Sequence, residues 1–150
     1  MFKKSILIII LLFIITENRY SQSNGFGIGV MIGEPTGISL KNWISKTKAL
    51  DAGIAWGFGR NGALHFHADY LIHEYGLIKT NHGQLPLYYG IGGRVLLSSD
   101  PRIGIRGVVG LDYMFESVPV DIFFEIVPIF DIVPATELGF NAGLGIRYFL

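Results

Sequence analysis

Leu138-Gly139-Phe140-Asn141-Ala142-Gly143-Leu144-Gly145-Ile146-Arg147-Tyr148-Phe149-Leu150 alternates with a period of two along its whole length. Leu138, Phe140, Ala142, Leu144, Ile146, Tyr148 and Leu150 fall on one face; Gly139, Asn141, Gly143, Gly145 and Arg147 fall on the other, with Phe149 the one bulky apolar exception. Successive side chains of an extended chain point to opposite sides, so this pattern specifies a β-strand with one apolar face.

The same period recurs upstream. Ile103, Ile105, Val109, Leu111, Tyr113 and Phe115 oppose Gly104, Arg106, Gly110 and Asp112. Leu64, Phe66, Ala68, Tyr70 and Ile72 oppose His65, His67, Asp69 and His73, and Leu50, Ile54, Trp56 and Phe58 oppose Asp51, Gly53 and Gly57. Weaker alternation over Gly25 to Ile32, Gly37 to Ile44, Leu85 to Leu96 and Val120 to Val127 brings the expected strands to eight. Turn-forming stretches separate them, among them Glu34-Pro35-Thr36, Ser45-Lys46-Thr47-Lys48, Arg60-Asn61-Gly62, Ser98-Ser99-Asp100-Pro101 and Glu116-Ser117-Val118-Pro119. No window after residue 24 keeps a helical apolar period. Pro128 lacks the N–H a ladder needs, so the seventh strand is expected to bulge there or end at Val127.

The content of the polar face decides which side meets solvent. A water-facing sheet carries Lys, Glu, Thr and Ser, whereas here that face is largely Gly, which packs poorly in an exposed strand. Inside a closed eight-stranded barrel the lumen is only wide enough for side chains, and glycines make room beside each long one. The charges phased onto that face are Lys41, Arg94, Arg106 and Arg147 against Asp51, Asp69, Asp112, Asp121 and Glu125. Buried charge must be paired, so these nine residues are read as a lumen ion-pair network. Aromatic residues gather toward strand ends, with Phe26, Tyr70, Tyr113, Phe115 and Tyr148 at one rim and Trp56, Phe58 and Phe130 at the other, as in an interfacial girdle. The fold class is therefore all-β, a closed antiparallel eight-stranded transmembrane barrel with a filled lumen.

The N-terminus reads as an export leader. Lys3 and Lys4 precede an apolar run from Ile6 to Ile15, too short to span a bilayer as a helix, and the chain then turns polar. Ser21 and Ser23 are small residues suited to cleavage, giving a leader over 1–23 and a barrel over 24–150. Loss of Lys3, Lys4, Glu17 and Arg19 takes the twelve basic and twelve acidic residues to nine and eleven, a mature charge of about −2. With no basic run, nucleic acid is not an expected partner, and with no Cys there is neither a disulfide frame nor a thiolate metal site.

The stretch from Gly25 to Leu150 resembles the small outer-membrane barrels, the class holding the outer membrane protein A transmembrane domain. Gly143 to Leu150 looks like the C-terminal signal read by the barrel-assembly machinery, although its last residue is Leu150 with the aromatic Phe149 before it. Gly33-Glu34-Pro35-Thr36-Gly37, Leu87-Tyr88-Tyr89-Gly90-Ile91-Gly92-Gly93-Arg94 and Pro134-Ala135-Thr136 look like segments of a family of short barrels from Gram-negative bacteria. The resemblance implies an outer-membrane location, lipid as surroundings and the assembly machinery as partner during insertion; it supplies no activity.

Candidate chemistry is sparse. His65, His67 and Asp69 share a face with His73 and form the one metal-like cluster, but no ligands from a second strand can be named. Lumen histidines hydrogen-bonded to carboxylates account for the same residues, so neither a metal nor a cofactor is expected. The serines Ser39, Ser45, Ser98, Ser99 and Ser117 sit mainly in turns, and strand phase assembles no Ser/His/acid set, so no enzyme is expected. Gly27-Ile28-Gly29 and Gly90-Ile91-Gly92 precede no helix and are lumen spacers rather than phosphate loops. A structural or accessory envelope role is the reading adopted, with a barrel that binds or modifies a lipid or small apolar ligand, and a soluble periplasmic binding barrel, as alternatives.

Overall fold

A computed structural model describes residues 25–33, 36–56 and 63–150. The expected leader, the Glu34-Pro35 tip and Phe58 lie outside these residues. Eight strands, β1 (Phe26–Gly33), β2 (Gly37–Trp43), β3 (Lys48–Trp56), β4 (Leu64–Glu74), β5 (Leu87–Leu97), β6 (Arg102–Met114), β7 (Val120–Val133) and β8 (Glu137–Phe149), run antiparallel, and β8 pairs with β1 to close the barrel. Closure leaves no edge strand, so every ladder has a partner on both sides.

Register sets the tilt. Paired residues followed once around from Gly27 are Lys41, Asp51, Asp69, Gly92, Arg106, Ile129 and Gly139, whereas Gly27 itself pairs with Phe149. The circuit thus returns ten residues away along β8, the stagger that obliges the strands to lean across the barrel axis.

Alternation is realised with the apolar face outward. Ile32, Ile91, Leu138, Phe140, Leu144 and Ile146 are exposed, while Lys41, Asp51, Asp69, Arg106, Asp112, Asp121, Glu125 and Arg147 are buried. Among rim aromatics, Phe26, Tyr70 and Tyr89 stand exposed toward the end that holds both termini, and Trp56, Phe130 and Phe140 toward the opposite end. Apolar outside and ionic inside is the face arrangement of a transmembrane barrel.

The seventh strand corrects the sequence expectation. β7 neither ends at Val127 nor bulges at Pro128 but continues to Val133. Pro128 pairs with Phe140 in an unbroken ladder to β8, and the defect is confined to the other side, where pairing with β6 skips Gly107 and Val108. One neighbour thus absorbs the missing N–H. The register shift occurs further on, between Ile103 and Gly104, which pair with Val133 and Asp131 and leave Ile132 as the extra residue.

The longest described connection, residues 75–86, lies at the end with the termini, and its last residues extend the β5–β6 ladder. Gln84 and Met114 exchange backbone hydrogen bonds of 3.0 and 2.8 Å, and the Tyr113 hydroxyl donates to the His82 carbonyl at 2.9 Å. Tyr75 packs on Trp43, Ala49, Met114 and Phe149, an apolar plug just inside that end of the barrel. A second apolar layer of Met31, Leu71, Tyr88, Val108, Phe123, Val127 and Ile129 fills the barrel elsewhere.

Candidate functional site

The lumen holds the polar chemistry, and glycines arrange it. Asp69 on β4, Gly92 on β5 and Arg106 on β6 share one paired row. A Cβ on Gly92 would overlap the Asp69 carboxylate; without it, Arg106 Nε reaches Asp69 Oδ1 at 2.8 Å across the intervening strand. The device recurs. Arg94, Gly104 and Asp131 form such a row, with Arg94 gripping Asp131 at 2.6 and 3.0 Å. Tyr88, Gly110 and Glu125 form a third, with the Tyr88 hydroxyl donating to Glu125 Oε2 at 2.8 Å. Each glycine lets side chains two strands apart meet above it, which direct cross-strand neighbours would otherwise prevent.

Gly110 gives a direct test of this spacing. A Cβ there would run into the Tyr88 ring, whereas at Gly139 it would meet nothing within 4 Å. Gly110→Leu is expected to lower unfolding stability by about 1–3 kcal/mol through overpacking and loss of the Tyr88–Glu125 bond. Gly139→Ala should lie between neutral and about 1 kcal/mol stabilising, since it only restricts the unfolded chain. Urea midpoints of the two variants in lipid vesicles decide it, and equal midpoints would remove the spacing role.

Two further knots complete the interior. Lys41 Nζ binds Asp112 Oδ2 at 2.7 Å and His73 Nε2 at 2.8 Å, and lies 4.4 Å from the centre of the Trp43 ring. Arg147 contacts three carboxylates: Asp121 at 2.8 and 3.0 Å, Asp51 at 3.4 Å and Asp112 at 3.9 Å. Phe123 stacks beneath its guanidinium at 4.0 Å. All nine residues named as a network from the sequence point inward and are ion-paired with one another or with Asp131.

Asp131 is the member the sequence reading lacked. Its phase continues Asp121, Phe123, Glu125, Val127 and Ile129, so the period of two already held the signal, but ending the strand at Val127 hid it. Asp131 is shared by Arg94 at 2.6 Å and by Arg102, nearer the rim, at 3.7 Å, while deeper in the lumen Asp51, Asp69, Asp112, Asp121 and Glu125 stand against Lys41, Arg106 and Arg147.

The histidine cluster is regrouped. His67 Nε2 lies 3.5 Å from Asp51 Oδ1 and 4.0 Å from Asp69 Oδ2, so these three residues from β3 and β4 come together. His65 does not join them; its ring stands edge-on to His67 with centroids 5.8 Å apart. His73 belongs to the Lys41 knot. Strand phase identified His67 and Asp69 as neighbours, but only the pairing of Asp51 opposite Asp69 supplies the third residue.

No protein-family model and no curated protein matches this sequence. Among solved structures, the chain is similar to the N-terminal β-barrel domain of Pseudomonas aeruginosa OprF, with a TM-score of 0.58 and 13% identity over 83% of this chain and 95% of that one. At that identity the likeness concerns the fold, and it places the chain among closed eight-stranded antiparallel barrels.

Proposed function

We propose that the mature chain resides in the outer membrane as a structural or accessory barrel of the cell envelope and not as an open pore. The observation that carries this reading is the continuous apolar exterior over a charged interior, because an outward band of Ile, Leu, Val and Phe is stable only against lipid. The apolar plug, the second apolar layer and the ion pairs occupy the lumen, which supports a closed interior. The leader-like N-terminus supports export, and the terminal strand supports insertion by the barrel-assembly machinery. A soluble periplasmic binding barrel would turn the apolar face inward, and the observed phase argues against it.

Fractionation with gel electrophoresis tests the proposal. The protein is expected to sediment with outer membranes and to migrate differently before and after boiling, and planar bilayers containing it should show no steady conductance. Recovery in the soluble periplasmic fraction without a heat-dependent shift would overturn the location, and stable single-channel conductance would overturn the closed lumen.

A further inference from the structure

We propose that Asp51, His67 and Asp69 form a binding site inside the barrel for a first-row divalent cation of the Zn2+ class. One ligand atom from each residue lies within 4.8 Å of the others, all three residues are buried, and they come from adjacent strands.

Direct hydrogen bonding explains this cluster poorly. Asp51 and Asp69 stand directly opposite each other on β3 and β4, a like-charge pairing that destabilises a sheet unless something separates or neutralises it. His67 Nε2, at 3.5 and 4.0 Å, is too far from either carboxylate for a good hydrogen bond. The His67 distances approach the roughly 3.4 Å between ligands around a tetrahedral ion with bonds near 2.1 Å, and drawing the three atoms in from within 4.8 Å by up to about 1.4 Å would place three ligands and leave the fourth position open.

Each carboxylate is also divided between two tasks. Asp69 gives Oδ1 to Arg106 at 2.8 Å, and Asp51 gives Oδ2 to Arg147 at 3.4 Å. Asp51 Oδ1 and both Asp69 oxygens are buried without a hydrogen-bond partner, Asp69 Oδ1 meeting Arg106 only as an ion pair, and Asp51 Oδ1 and Asp69 Oδ2 face His67. Arginines holding the far oxygens would serve as the outer shell that orients ligating carboxylates. Gly53 and Gly92 shape the pocket, since a Cβ on the first would overlap the His67 ring and on the second the Asp69 carboxylate.

Charge supplies an independent argument. With neutral histidines, the fully buried set of Asp51, Asp69, Asp112, Asp121 and Glu125 against Lys41, Arg106 and Arg147 leaves two negative charges inside the barrel, Asp131 being matched nearer the rim by Arg94 and Arg102. Uncompensated buried charge is costly, and one divalent ion would cancel it. An imidazole with two carboxylates selects the borderline first-row ions over Ca2+ or Mg2+, which take oxygen ligands alone.

The test uses untagged barrel refolded in detergent with Zn2+ and dialysed against metal-free buffer. One equivalent of Zn2+ by elemental analysis is expected, and a Co2+-loaded sample should show the visible absorption of a tetrahedral N/O site. His67→Gln and Asp51→Asn, made separately so that either can serve if the other fails to fold, should keep the heat-dependent mobility and bind Zn2+ at least about tenfold more weakly. His82→Gln, in the exposed connection, should bind as the wild type does. Wild-type barrel without stoichiometric Zn2+ overturns the proposal, as does a folded His67 or Asp51 variant that retains full binding.

Discussion

Arg147→Met is expected to be among the most damaging single substitutions in this barrel. Arg147 is the shared counter-ion of Asp121, Asp51 and Asp112, all within 4.0 Å and all buried. Methionine fills much of the same space but leaves Asp121 without its cation and Asp51 facing only His67, while Asp112 keeps Lys41. Removing one partner of a buried pair typically costs about 3–5 kcal/mol, a large share of the roughly 5–15 kcal/mol that stabilises an ordinary domain. Arg147→Lys should be milder in charge but still harmful, because an ammonium lacks the planar fork that holds Asp121 through two nitrogens. The urea midpoint in phospholipid vesicles, read by the heat-dependent gel shift, should fall most for Met and less for Lys. A midpoint unchanged by Arg147→Met would mean that water solvates these carboxylates and that the lumen is open.

The second large effect lies on the opposite face. Ile91, near the middle of β5 and 63% exposed, projects outward between Tyr70 and Gly107 on the neighbouring strands. If lipid surrounds the barrel, Ile91→Arg places a guanidinium at membrane depth and should destabilise it by about 2–4 kcal/mol. If water surrounded it, the same change at an exposed site would fall within about 0.5 kcal/mol of neutral. Equilibrium unfolding of Ile91→Arg beside Ile91→Ala in vesicles separates the two, and a near-neutral arginine would sink the membrane reading. The two substitutions are complementary: one removes a charge from inside, the other adds one outside, and a barrel turned the other way would reverse their order.

Much of the interior was legible because strand geometry is local. A period of two assigns each residue to a face without reference to its neighbours in space, so Lys41, Asp51, Asp112 and Arg147 could be placed inside from their phase alone, and Ile91 and Leu144 outside. The scarcity of Lys, Glu and Thr opposite the apolar face then distinguished an inward polar face from a wetted one. Where the local rule met a conflicting local rule it failed: Pro128 suggested an ending, but a strand closed on both sides tolerates one absent N–H when only one ladder is interrupted, and Asp131 was lost with the strand's last turn of phase.

What phase leaves open is which inward residues meet. Arg106 and Asp69, Tyr88 and Glu125, and Arg94 and Asp131 are each separated by a whole strand, and their contacts exist because register puts a glycine between them. Lys41 and Asp112 meet across the lumen from β2 and β6. Asp51 comes opposite Asp69 only through the β3–β4 register, and so converts two strand-mates, His67 and Asp69, into a three-residue cluster that excludes His65. The number of strands, their two faces and the confinement of charge to the inner one could be read along the chain, because those depend on its own pleat. The partners of those inward residues came only with the closed barrel, because pairing depends on register and stagger around the whole circuit, which are properties of eight strands together.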